Sequence, residues 1–209
     1  MARGGFITLE GGEGAGKSSQ AERLQARLTA AGRAVVRTRE PGGSPGAEAI
    51  RALLVTGDPD RWSPLTETLL MYAARRDHIE RVIAPALARG DVVVCDRFAD
   101  STRAYQGAGG GAPEGLIAAL EDHILGPTRP DLTLILDLPV EVGLARAGAR
   151  HSQAETRFEA KGAAFHQRLR DCFLAIAKAE PNRCVVIDAA APMDAVEAAI
   201  WTAVSGRLA

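Results

Sequence analysis

Residues 4 to 18 constrain this chain more than any other stretch: Gly-Gly-Phe-Ile-Thr-Leu-Glu-Gly-Gly-Glu-Gly-Ala-Gly-Lys-Ser. Phe6 to Leu9 is a short apolar run of β-formers, suited to a buried strand. Gly11 then opens the spacing G-x-x-x-x-G-K-S, which runs through Gly12, Glu13, Gly14 and Ala15 and closes on Gly16, Lys17 and Ser18. Behind it Ala21, Leu24 and Leu28 recur at helical spacing. A strand, this loop and a helix, in that order, are the context in which the motif binds phosphate. The glycines let successive backbone N–H groups turn inward without a Cβ clash. The helix adds its unpaired N-terminal N–H groups and the positive end of its dipole. Lys17 can reach the β- and γ-phosphates, and the Ser18 hydroxyl can ligate Mg²⁺.

Strand-like and helix-like runs alternate after that. Ala34–Thr38, Val92–Cys95, Leu132–Leu138 and Cys184–Ile187 join Phe6–Leu9 as expected strands. Several are continuously apolar, the signature of parallel strands covered on both faces. Helix-length segments lie at about 19–31, 46–56, 65–89, 114–125, 140–148, 156–179 and 193–206. The pattern predicts an α/β fold built on a parallel sheet. The length of 209 residues suits one domain, or one domain with a mobile flap. Ligands of such sheets bind beyond the C-terminal ends of the strands. The residues just after each strand are therefore the candidates for chemistry. Among them, the cluster Gly107, Gly109, Gly110 and Gly111 reads as a flexible connection.

Composition excludes several roles. A net charge of −1 leaves no electrostatic footprint for nucleic acid or an acidic membrane. No apolar run approaches the ~20 residues of a membrane span, and the N-terminus shows no signal-peptide layout. Cys95, Cys172 and Cys184 are scattered and odd in number, which reads as free thiols in a reducing, cytoplasmic setting. His78, His123, His151 and His166 form no ligand-spaced cluster and read as surface or helix positions.

Phosphate transfer needs fixed positive charge on both sides of the moving group. The glycine loop supplies one side. Arg39, Arg51, Arg75, Arg97, Arg146, Arg150 and Arg157 are candidates for the other. Arg97 follows an apolar strand and Asp96, at the rim where ligands sit; Asp96 can hold a magnesium-bound water or orient Arg97. Arg75 is a charge in the mostly apolar run Leu69-Leu-Met-Tyr-Ala-Ala-Arg-Arg, either at the edge of a buried site or snorkelling from a core helix. Its neighbour Arg76 points elsewhere, since adjacent helical residues do not share a face.

The ordered set Gly11–Ser19, Thr38–Gly43, Arg51, Tyr72–Arg75, Asp96-Arg97, Ser101 and Tyr105-Gln106-Gly107 resembles the bacterial thymidylate kinases, from about residue 5 to 190. The resemblance implies a P-loop NTPase fold, a five-stranded parallel sheet with helices on both faces and a small mobile lid. It implies Mg²⁺-dependent transfer of the γ-phosphoryl group of ATP to dTMP, by a homodimer. Carried onto this chain, it places the ATP phosphates on Gly11 to Ser18, Mg²⁺ on Ser18 and Asp96, and the acceptor's sugar 3′-hydroxyl on Glu13. It places the acceptor phosphate between Arg51 and Arg97, and the base edge on Arg75, with Ser101, Thr102 and Gln106 completing the acceptor site. Tyr105 matches the aromatic that crowds the 2′ position. The lid matches residues 146–157. The loop carries no Arg between Gly12 and Gly16, so the catalytic set implied is Lys17, Arg97, Arg146 and Arg150. One position departs from the family: the Phe four residues before the base-reading Arg is Met71 here, soft enough to pack on a ring.

Rival classes leave no matching signature. A nucleotide switch would carry D-x-x-G and N-K-x-D, and a motor ATPase an apolar strand ending in Asp-Glu; none occurs. Another nucleoside monophosphate kinase of the same fold is the alternative within enzymes.

Overall fold

The computed structural model describes residues 4–58, 60–149, 158 and 161–208. Five strands, β1 (Phe6–Glu10), β2 (Val35–Arg39), β3 (Val92–Asp96), β4 (Leu132–Asp137) and β5 (Cys184–Asp188), form one parallel sheet in the order β2-β3-β1-β4-β5. Each expected strand is present, within a residue or two at the ends. Every residue of β1 is buried, whereas β2 is half-buried to exposed throughout and β5 mixes buried with open positions. This is the difference between a central strand covered on both faces and an edge.

The helices on the two faces follow from the same apolar periodicities. Ala21, Leu24 and Leu28 of α1 (Lys17–Ala30) and Val196, Ile200 and Val204 of α9 (Met193–Leu208) pack with Ile7, Leu9 and Leu134 on one side. On the other, Phe6, Val93 and Cys95 meet Tyr72 of α3 (Pro64–His78), Ile83, Leu87 of α4 (Ala84–Arg89), and Ile117 and Leu125 of α6 (Glu114–Leu125). The remaining helices of the described residues are α2 (Pro45–Val55), α5 (Ala99–Thr102), α7 (Val140–Gly148) and α8 (Ala163–Ala179).

Two departures from the sequence reading have physical causes. The single helix expected over 65–89 is continuous but widens into a π-turn at Ile79–Ile83. Pro85, two residues on, has no N–H for the α ladder, so the looser turn sits where that ladder would fail. The glycine cluster is not slack. Arg103–Gly109 is a π-helical continuation of α5, and a Cβ at Gly109 would come within 2.5 Å of Phe165 and 2.6 Å of Leu169 on α8. Glycine is there for close helix approach. The helix expected from 156 begins at Ala163, and residues 156–157 and 159–160 lie outside the described set.

Register decides where the site falls. Leu9 pairs with Asp96 and Glu10 with Ile135, so β1, β3 and β4 end within a few residues of one another. The glycine loop after β1 therefore lies beside the turn after β3.

Candidate active site

A cavity of about 280 Å³ opens at those strand ends. It is lined by the glycine loop from Glu13 to Ser18, the turn after β2, Arg51 of α2, and Met71 and Arg75 of α3. Asp96 to Phe98, the segment from Ser101 to Gln106, and Phe158 complete it. The lining joins most of the predicted site residues, drawn from distant parts of the chain.

The glycine loop adopts the shape its sequence allows. Gly14 has φ 71°, and a Cβ there would lie 2.1 Å from the carbonyl oxygen of Gly143 on α7. Only glycine permits both the left-handed turn and that approach. Lys17 Nζ donates to the carbonyls of Gly11 (3.1 Å) and Gly12 (2.7 Å), curling over the loop. Burial among neighbours that include Arg97 brings its pKa down to about 8, against the pull of Glu13 and Asp96. A phosphate in the cavity would favour the ammonium and raise the pKa again. Ser18 Oγ donates to Asp96 Oδ2 at 2.5 Å, so the two expected magnesium residues are in contact.

Arg97 is the one non-glycine residue of the described set with positive φ, at 67°. An L-residue tolerates that conformation only where its surroundings hold it. Its Nη1 donates to Gly11 O (3.1 Å) and reaches Ser101 Oγ (3.4 Å). Its Nη2 donates to Glu13 Oε1 (2.9 Å), and the guanidinium stacks 4.8 Å over the Tyr105 ring. Glu13 also accepts the Tyr105 hydroxyl at 2.8 Å. A carboxylate beside a phosphate site needs such donors. Burial pushes Glu13 up, but Arg97, Lys17 and Tyr105 outweigh it and hold the group near 2.

Arg75 resolves the choice between edge charge and snorkelling. It is 2% exposed. Nε donates to Glu40 Oε2 (2.8 Å), and Nη2 to Phe98 O and Thr102 Oγ1 (3.0 Å each). Nη1 is buried with no partner. An unpaired buried N–H on a fixed guanidinium costs on the order of 1–3 kcal/mol unless something accepts from it. Arg76 turns away to Glu80 and Ile124 O, as adjacent helical residues must.

The other predicted residues divide. Gln106 donates to Glu67, and Ser101 Oγ donates to Glu10 Oε2 at 2.5 Å. Arg51 Nη1 donates to Pro41 O at 2.5 Å. Met71 lines the cavity, whereas Tyr72 is buried in the core with its hydroxyl on Ile117 O. Arg146 is not in the lining; its Nη1 donates to Ala189 O at 3.0 Å, beyond β5. Arg150 and Arg157 lie outside the described residues.

Three carboxylates in or behind the lining were missed: Glu10, Glu40 and Glu67, the last of which accepts from Gln106. Glu10, fully buried, takes the Phe98 N–H (2.8 Å) and the Ser101 hydroxyl, bracing the strained turn at Arg97. Burial and Asp100 push its carboxyl up to about 7. Glu40 holds Arg75 with one oxygen and His78 Nδ1 with the other, and His78 Nε2 meets Thr38 Oγ1 at 2.7 Å. His78 and His166 are helix positions, as expected, but buried ones. Glu10 and Glu40 had a usable signal: each is a charge at or just past the C-terminal end of a strand, where ligands of parallel sheets gather.

Comparison with known proteins shows the family. A family model described as Thymidylate kinase matches residues 9–200. A thymidylate kinase of Caulobacter vibrioides is 71% identical, over 100% of this chain and 99% of that protein. One of Nitrobacter winogradskyi is 56% identical, over 98% of this chain and 90% of that protein. The crystal structure of the thymidylate kinase from Ehrlichia chaffeensis superposes with a TM-score of 0.79 at 33% identity, covering 97% of this chain and 99% of that one. The likeness runs unbroken from the first strand, through the loop that curls round Lys17, to the last helix: the chain belongs to the thymidylate kinase family and is a kinase.

Proposed function

We propose that this kinase moves the γ-phosphoryl group of ATP onto the phosphate of dTMP, giving dTDP and ADP, on the route to dTTP for DNA synthesis. One observation carries the reading. The same cavity that is lined by the glycine loop and Lys17 is lined by a buried guanidinium, that of Arg75, with one nitrogen left without a partner. That donor fits a carbonyl oxygen on an acceptor base.

The chemistry asks the protein for position and charge more than for covalent help. Inward N–H groups of Gly11 to Ser18 and the ammonium of Lys17 hold the ATP phosphates. Arg97 and Arg51 hold the acceptor phosphate and screen its repulsion from ATP. Glu13, kept ionised by Arg97, orients the acceptor sugar, and Tyr105 packs beside it. The hydroxyl of Ser18 and the carboxylate of Asp96 are hard oxygen donors in contact, a set suited to Mg²⁺. When bound, that ion neutralises charge on the phosphate oxygens. Thr102 acts through Arg75, whose Nη2 it receives. The segment 146–157 closes over the bound nucleotides, with Arg150 and Arg146 as its cations, and excludes water at transfer.

The single domain works as a homodimer in the cytoplasm. Leu65 and Leu69, about half exposed and one turn apart on α3, give it an apolar stripe for a second copy. The net charge of −1 gives this reading no nucleic-acid or acidic-membrane partner. A coupled ADP-release assay across dTMP, dUMP, dCMP, GMP and AMP tests the assignment. Turnover is expected to be highest with dTMP. Protein that binds ATP yet phosphorylates none of the five would overturn it, and a preference for a purine monophosphate would reassign the acceptor.

A further inference from the structure

Gln106 Nε2 donates to Glu67 Oε1 at 2.8 Å, and both residues are buried. A primary amide has a donating end and an accepting end, and half a turn about its last bond exchanges them. A carboxylate only accepts. Glu67 therefore holds the amino end of Gln106 toward itself and leaves Oε1 facing the other way. Among the described residues, no hydrogen bond reaches Gln106 Oε1.

Glu67, Met71 and Arg75 recur at i, i+4 and i+8, along one face of α3. Met71, Arg75 and Gln106 line the cavity, while Glu67 stands behind Gln106. Arg75 is fixed in the same manner on the other side, by Glu40 through Nε and by Thr102 and Phe98 O through Nη2. Of the polar side-chain atoms that Arg75 and Gln106 carry, Arg75 Nη1, a donor, and Gln106 Oε1, an acceptor, are left without a partner.

We infer that Glu67 is a specificity-determining positioning residue: by fixing which end of the Gln106 amide is free, it makes this cavity select an oxo–imino base edge over an amino one. A 4-oxo pyrimidine presents a carbonyl acceptor beside a ring N–H donor, the complement of Arg75 Nη1 and Gln106 Oε1. A 4-amino pyrimidine presents the reverse and would set donor against donor and acceptor against acceptor. With the amide turned round, two donors would face the base and the first edge would lose its partner. The inference rests on the proposed function, since it places a pyrimidine nucleotide in this cavity.

The experiment compares kcat/KM for dTMP and dCMP, and KM for ATP, in wild type, Glu67→Gln, Gln106→Met and the double variant Glu67→Gln/Gln106→Glu. In Glu67→Gln the amide at 106 is free to turn, and the dTMP-to-dCMP preference falls roughly tenfold or more, with KM for ATP held within about twofold. Gln106→Met, which removes both ends of the amide, erodes the preference similarly. The double variant exchanges the two groups and again places an acceptor-only side chain at position 106, so it recovers preference for dTMP. A ratio unchanged in both single variants, or a loss shared equally by dTMP, dCMP and ATP, would overturn the inference while leaving the proposed function standing. Wild-type protein that does not phosphorylate dTMP would overturn the proposed function, and this inference with it.

Discussion

Arg97 Nη2 and Glu13 Oε1 lie 2.9 Å apart, tying the turn after β3 to the glycine loop 84 residues earlier. The pair holds Glu13 near 2, below its ordinary 4.5, in spite of burial. A carboxylate depressed by folding adds stability that is complete above about pH 4.5 and is lost as pH falls through 2. Glu13→Gln should therefore flatten the stability profile in that acid window, read as urea midpoints from pH 5 downward. A variant that keeps the wild-type slope would show that the pair carries no linkage.

Lys17 behaves in the opposite sense toward its ligand. Its pKa of about 8 lies below the ordinary 10.5 because burial and Arg97 disfavour the ammonium. Triphosphate oxygens would reverse this, so nucleotide binding near pH 8 should take up a proton, and affinity should fall as pH rises past 8. Calorimetric titration in two buffers of different ionisation enthalpy reads the uptake directly. Lys17→Ala should lower turnover by more than ~100-fold, in line with loss of a charged transition-state contact. A folded variant with near-normal turnover would remove Lys17 from the mechanism.

Glu10 lies on the other side of its ordinary value. Burial, then Asp100, lift its carboxyl from 4.5 to about 7. Its contribution is complete below pH 4.5 and disappears as pH rises through 7. Glu10→Gln should narrow the stability difference between pH 5 and pH 8. Equal differences in both proteins would mean that other groups set the slope.

Gly109→Ala tests packing alone. The added methyl meets the Phe165 and Leu169 side chains of α8 at 2.5 and 2.6 Å. Forcing a methyl into a packed contact costs about 1–3 kcal/mol. A thermal midpoint lowered by several degrees is expected, and an unchanged midpoint would show that α8 shifts freely.

The strands were legible because continuous apolar runs separated by glycine and proline have few other uses in an alternating chain. The phosphate loop was legible because its spacing is local. Arg97 and Arg75 could be nominated by position, but not the residues that aim them. Glu67, Glu40 and Glu10 read as ordinary charges in one dimension, and register and helix phase alone bring them behind Gln106, Arg75 and Arg97. The glycines near 109 were misread because close packing and slack leave the same residue type in a sequence, and the partner that tells them apart, Phe165, is distant in the chain.

Gly14 and Gly143 bring two backbones together with no side chain between them: a Cβ on either would strike the other segment's carbonyl, at 2.1 Å from Gly14 and 2.5 Å from Gly143. Side chains cushion most neighbouring segments by changing rotamer, and here nothing can yield. A tilt of α7, whose last turn overlaps the proposed closing segment, should therefore be transmitted undamped to the loop proposed to hold the triphosphate, as a crank turns its shaft.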